Sequence, residues 1–378
     1  MKKNLLFVTI LFFVFTFSPF ISHAQEMIDD TTTTYKAEVI EVVSETKEEI
    51  AETGVTHPVQ EIQARILSGV KKNQIVTFRN DYITLEEGET FFLNHIEKID
   101  GEEIYSVSDP YRLDSLLFFV GLFILVTIIF GGKQGVRGLV SLIGSLALIF
   151  YILLPGLLKG ISPVLLSIGV SSLIIILGSY ITHGFNRTTT TAVIGMIATI
   201  IVTGTLATIA VGATSLTGFA DEEAVYLNFN TGGTLDFAGL LLGAILIGLL
   251  GTLYDAAISQ AIAVEEIHIT NPTLTKKEVY RKVLRIGREH IGALVDTLAI
   301  AYVGAALPLL LLFIHASDSS FAMIINREIF ATEIIRIVIG SIGVVLAVPF
   351  TTFVSTWMLV GKIPLNKKTH SHSHIHHH

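Results

Sequence analysis

Two periodicities divide the chain. From Tyr35 to about Asp109, apolar and polar residues alternate in short runs: Tyr35-Lys36-Ala37-Glu38-Val39-Ile40, then 62–66, 74–78 and 90–93. Turn material such as Lys71-Lys72-Asn73 and Asp100-Gly101 separates them. A period of two marks half-buried strands. About five such strands predict a small β-barrel or sandwich, OB-like in kind. After Arg112 the alternation stops and long uncharged stretches begin. Seven of them come near the ~20 residues needed to cross a hydrocarbon core. They lie at 113–130, 138–158, 163–182, 191–212, 237–262, 291–314 and 334–359. The predicted fold class is an α-helical membrane bundle of about seven transmembrane helices behind a small all-β domain.

The first residues follow the plan of a secretory signal. Lys2 and Lys3 form a basic start, 5–20 is apolar and Phe-rich, and Ser22-His23-Ala24 presents small residues where a signal peptidase cuts. Cleavage after Ala24 is expected, with an uncleaved anchor helix as the alternative. Residues 25–34, ending in four threonines, read as a linker. The expected layout is then 35–112 as β domain, 113–361 as membrane domain and 362–378 as a His-rich tail.

Charge orients this layout. Only 15% of residues are charged and mean hydropathy is +0.65, so long segments need lipid or a very large core. The net charge of −8 is concentrated between Gln25 and Pro110, in pairs such as Glu48-Glu49, Glu86-Glu87 and Glu102-Glu103. Lys133, Arg137, Arg187 and the cluster 276–288 fall in loops on one side of the seven spans, as do Lys362, Lys367 and Lys368. The opposite loops hold Lys159 and Arg327 among Asp221, Glu222, Glu223, Asp318 and Glu328. The positive-inside rule puts the β domain outside and the tail in the cytoplasm, as the leader does. There are no cysteines, which excludes disulfides and thiolate chemistry.

Polar residues gather around the fifth and sixth spans. Asp255 interrupts an apolar run, with Ser259 and Gln260 one turn on; Glu289, His290 and Asp296 open the next span. Asp255, Ser259, Ile262 and Glu266 share one helix face, and Glu289 and Asp296 share another. Antiparallel neighbours would bring Asp255 and Asp296 together. An intramembrane carboxylate costs roughly 2.5–3.5 kcal/mol on insertion scales and is kept where it faces the bundle interior and has a partner, so Asp255 and Asp296 are expected buried there. Two of them beside hydroxyls and an amide could bind a small cation or relay protons. The alternative is a structural clamp, with either Asp paired to Arg288, His290 or a backbone donor. Gly195, Thr199, Thr203, Gly204, Gly239 and Gly243 suit close helix packing. Pro308 and Pro349 suit broken helices lining a path. Asn271-Pro272-Thr273 starts a basic cytoplasmic helix to Arg288, suited to anionic headgroups of the lipid bilayer.

His370, His372, His374 and His376 could hold a divalent metal ion without any fold, so the tail says little about the protein's task. There is no H-E-x-x-H, G-x-S-x-G or Walker A loop, so neither an enzyme nor a cofactor is expected. The basic residues track one membrane face, which leaves no nucleic-acid surface.

The stretches Leu253-Tyr254-Asp255-Ala256-Ala257-Ile258-Ser259, Asn271-Pro272, and Gly287-Arg288-Glu289-His290-Ile291-Gly292-Ala293-Leu294-Val295-Asp296-Thr297, the last continuing to Gly304, resemble the YibE/F-like family. The layout of an exported N-terminal domain followed by several spans resembles it too. The resemblance implies a bacterial multi-pass protein of the cell membrane and brings no substrate. The residues themselves suggest a transporter or channel for a small cation or a proton-coupled solute. The rival is an envelope sensor or assembly factor whose outer domain binds a protein partner.

Overall fold

A computed structural model of the chain describes residues 31–49, 54, 56–220, 222–315 and 320–361. The leader at 1–24 and the His-rich tail lie outside them. The chain divides into two compact units, one ending at Val126 and one beginning at Thr127.

In the first unit five strands, β1 (Thr31–Glu49), β2 (Thr56–Ile66), β3 (Ile75–Asn80), β4 (Thr90–Glu97) and β5 (Glu103–Pro110), form one antiparallel sheet in the order β3-β2-β1-β4-β5. The edge strands β3 and β5 also touch, so the sheet curls into a partly open five-stranded barrel of the OB kind. β1 makes this curvature possible. Residues 31–38 pair with β4 and residues 37–49 with β2, and bulges at Val39/Glu41 and Val42/Ser44 bend the strand between its two partners. Thr31–Thr34 is therefore strand, paired to residues 94–97, and not linker. Threonine is β-branched and suits a pleated surface, which outweighs the polar composition that reads as loop.

Alternation places Ala37, Val39, Ile62, Ile66, Phe91 and Leu93 in the barrel core. Gln60, also buried, closes one end: its amide donates to Leu85 O at 3.0 Å and its oxygen accepts from Leu85 N at 2.9 Å and from Asn80 at 3.2 Å. Gly69, at φ +75°, lies against the Tyr35 ring, where a Cβ would sit 2.6 Å from a ring carbon.

The helices are α1 (Leu113–Leu148), running through a π turn (Ile149–Leu153) into α2 (Leu154–Leu158), then α3 (Pro163–His183), α4 (Arg187–Ala213), α5 (Glu222–Asn230), α6 (Phe237–Gly248), α7 (Leu250–Thr270), α8 (Lys276–Ala305), α9 (Leu307–His315), α10 (Phe321–Ile325) and α11 (Glu328–Leu359). Among the described residues five stretches are long and apolar enough to cross a membrane: Leu113–Leu158, Pro163–His183, Arg187–Ala213, Phe237–Thr270 and Glu328–Leu359. A sixth is reached if α8 and α9, bent by 72°, count as one broken span. The first stretch, 46 residues long, is interrupted at Gly132 (φ 52°, ψ −135°). Gly135 there lies against the Thr127 carbonyl, eight residues back, where a straight helix would leave them ~12 Å apart.

The bundle centres on α4 and α11. Gly195 faces Thr351, Gly343 faces Thr203, and Ser355 donates to Thr191 at 2.8 Å, an antiparallel seam of small and hydroxyl residues. Without a hydrophobic drive in lipid, close backbone approach is what holds such a pair. Pro349 lies inside unbroken α11, whereas Pro308 follows the break after Ala305. The expected separate basic helix is the first half of α8, continuous with the span that follows. Thr275 and Glu278 form its capping box, so the chain starts a helix there and nothing stops it until Ala306.

Candidate functional site

The sequence-nominated residues fall into two groups. Gln260 is buried, accepts from Thr352 Oγ1 at 3.0 Å and lies against Gly287, so it ties α7 to α11 and α8. Asp255, Ser259, Glu289, His290 and Asp296 are all exposed on the bundle surface. The expectation that the two aspartates are buried in the bundle interior is corrected: helix phase turns them outward, because the same faces of α7 and α8 do not meet α4 and α11. Neither aspartate makes a hydrogen bond or ion pair with another described residue, Arg288 and His290 included. The clamp therefore finds no partner.

Their levels do match. Gly248, at the end of α6 where it leads into α7, is against Tyr302, and Gly287 is against Gln260, so the α6–α7 segment and α8 run antiparallel in a fixed register. That register sets Asp255 level with residues 292–295, and Asp296 follows directly. Beside Asp255, Tyr254 binds the Thr182 hydroxyl and approaches His183 Nδ1 at 2.9 Å, joining α7 to the end of α3.

A second region was not nominated from sequence. Where α8 breaks into α9, a cleft of about 600 Å³ opens between Ala305, Pro308 and Leu312 on one side and Thr332, Glu333 and Arg336 of α11 on the other. Glu223 of α5 also lines it. A smaller space of about 330 Å³ adjoins it, sharing Glu223, Thr332 and Arg336 and reaching Ala244 of α6. Arg336 Nη1 donates to Glu333 at 2.8 Å, and its guanidinium lies 5.9 Å from the Tyr302 ring centre. Arg336 Nε, Thr332 Oγ1 and the Tyr302 hydroxyl have no hydrogen-bond partner among the described residues. Ala244 begins an exposed stripe that continues through Gly251, Asp255, Ser259, Ile262 and Glu266. Exposed positions of α6 and α7 thus run from the smaller space to Asp255.

The signal for this region was in the sequence as Glu333 and Arg336, three apart at the start of an apolar run. A span begun at 334 left the pair at its margin. The structure starts α11 at Glu328, which draws both charges into the helix.

Residues 119–361 match the family described as YibE/F-like protein. The chain belongs to the YibE/F-like family. The matched region contains every helix that builds the cleft and both aspartates, while the β domain precedes it. No curated protein and no solved structure matches this YibE/F-like chain. It is a membrane protein by family and by its apolar helices.

The β domain carries a cluster of its own. Lys71 donates to Glu103 at 2.6 Å and to Tyr105 at 3.1 Å, and lies 3.0 Å from buried His95. The Lys71 hydrogen bond, then that of Tyr105, lowers the Glu103 carboxyl to about 2. Burial pulls Lys71 down, but the hydrogen bonds to Glu103 and Tyr105 outweigh it and raise the ammonium. Among the described residues no group of three or more His, Asp or Glu is placed to hold a metal ion. His370, His372, His374 and His376 lie outside them.

Proposed function

We propose that the chain carries a small solute across the cell membrane, coupled to a cation or proton. The observation that supports this best is the break between α8 and α9. It lines a cleft holding Glu333 and Arg336 inside an otherwise apolar bundle. Non-helical backbone and charge at membrane depth are tolerated where they line a water-filled cavity, and discontinuous helices form binding sites in many carriers. In this reading the leader is cut after Ala24, the β domain is outside and the tail inside. Splitting the first stretch at Gly132 brings the count to seven spans. The cleft then opens outward, and Asp255 and Asp296 stand on the inward half of α7 and α8 as proton or cation groups.

Reconstituted protein in liposomes tests it: solute-driven acidification or cation uptake should occur and should require Asp255 and Asp296. No flux above empty liposomes for any cation, proton or solute would sink the proposal. Reporter fusions after Asp109 and Lys368 test the orientation separately. A cytoplasmically active reporter at Asp109 would refute it.

Val70, almost fully exposed on a loop of the β domain, favours a second reading, a non-transporting envelope sensor or assembly factor whose outer domain binds a partner. The full chain should then give no flux in liposomes, and deleting 35–109 should abolish partner binding.

A further inference from the structure

The cleft at the α8–α9 break has an uneven supply of hydrogen-bond partners. Arg336 spends Nη1 on Glu333, but its Nε–H meets no acceptor among the described residues. Thr332 is 3% exposed, and its hydroxyl is also unmet. Buried donors without acceptors are rare and costly, so a missing acceptor group belongs beside them. Across the cleft, Glu223 carries a carboxylate with no hydrogen bond or ion pair to any described residue. Exposed at the cleft, that carboxylate is open to a cationic group.

We infer that this cleft binds a small zwitterion with an aliphatic body, of the size and kind of a free amino acid. Its carboxylate accepts from Arg336 Nε and Thr332 Oγ1, and its ammonium faces Glu223. Charge excludes the simpler ligands. Among the described lining residues a plain anion would meet two carboxylates, Glu223 and Glu333, against one guanidinium. A plain cation would leave both α11 donors unmet. A molecule carrying both charges a few ångströms apart answers both walls at once. The remaining wall is aliphatic, from Ala305, Pro308, Leu309, Leu312 and Ile329. It removes an apolar side chain from water and offers a polar one nothing. About 600 Å³ lies within the range of small-molecule sites, with room for ordered water around an amino acid.

The inference shares its cleft with the transport proposal but does not need transport, because binding can be measured without flux. Equilibrium dialysis of the full chain in detergent with labelled leucine is the direct experiment. The comparison probes are 4-methylpentanoate and isopentylamine, which keep the body and one charge each. Leucine should bind saturably, and each single-charge probe should bind at least tenfold more weakly. Arg336→Gln should weaken leucine at least tenfold. Glu223→Gln, on an exposed helix where the fold is not at stake, should weaken leucine similarly while leaving 4-methylpentanoate unchanged or tighter. No saturable leucine binding, equal binding of either single-charge probe, or leucine affinity untouched by Glu223→Gln would each overturn the inference. Leucine binding without flux would sink transport alone. Flux of another solute without leucine binding would sink the zwitterion alone.

Discussion

The Glu333 carboxylate accepts a hydrogen bond from Arg336 Nη1 at 2.8 Å, one turn along the same helix, on the wall of the cleft beside the α8–α9 break. Both side chains are about a quarter exposed, so the pair is neither a surface ornament nor sealed away. Removing one partner strands the other charge in a poorly solvated place. Arg336→Gln should destabilise the detergent-solubilised protein by about 1–3 kcal/mol. The double change Glu333→Gln, Arg336→Gln should recover part of that loss. Thermal unfolding of the two variants and the parent checks it, and a double variant less stable than Arg336→Gln would refute the pairing.

Asp255 and Gln260 are five residues apart on α7 and should behave in opposite ways. Asp255→Asn and Asp296→Asn remove charges that hold no partner, so melting should stay within about 0.5 kcal/mol of the parent. Under the proposed function each should abolish flux, and the double change should be little worse than either, as expected of groups acting as one unit. Gln260→Leu strands the Thr352 hydroxyl and should cost about 1–3 kcal/mol. Flux and melting measured on the same preparations separate the two behaviours.

Gly195 and Gly251 provide a packing test. A Cβ at Gly195 would sit 2.8 Å from the Thr351 Cα, whereas one at Gly251 would meet nothing within 4 Å. Gly195→Val should cost about 1–3 kcal/mol or block folding of the α4–α11 seam. Gly251→Ala should be neutral or slightly stabilising, since alanine is the better helix former. Yield of monodisperse protein and its melting temperature give the comparison.

The Lys71–Glu103 contact makes a pH prediction for residues 31–112, which carry their own core and should fold alone. Glu103 titrates at about 2 in the folded domain, below its unfolded value near 4.3. A lowered folded value means the stabilisation is complete above the unfolded value and disappears as pH falls toward 2. The parent should therefore exceed Glu103→Gln in melting temperature at pH 7, and the gap should close between about pH 5 and pH 2. Circular dichroism melts of the excised fragment across that range measure it. A gap undiminished at pH 2 would exclude the carboxylate as its source.

Pattern along the chain was enough for membrane residence and for a small β domain ahead of the helices, whereas the family rested on the resemblance of the particular stretches around Asp255 and Asp296. Period-two alternation from Tyr35 located β1 to β4, because each strand buries one face; β5 was the weak one, with Val107 its single buried residue. Hydropathy located the five to six long apolar helical stretches for a similarly local reason: hydrocarbon tests each stretch of ~20 residues by itself. The helical phase of Asp255, Ser259 and Glu266 was legible too, since 3.6 residues per turn is a property of the backbone alone.

Which way those faces turn was decided only by tertiary packing. The α4–α11 seam took Gln260, Thr351 and Thr352 inward and left Asp255 and Asp296 outside. That choice depends on pairs such as Gly195 and Thr351, more than 150 residues apart, which no local period encodes. The cleft is likewise tertiary. Pro308 and Pro349 look equivalent in sequence, yet α11 continues unbroken past Pro349, beside buried Ala347 and Val348, and the chain bends by 72° just before Pro308. Glu223, Thr332 and Arg336 become neighbours only because that bend opens a space between α5 and α11. A broken helix frees room that a pattern of hydrophobicity cannot measure, and charges drawn from separate elements fill its walls.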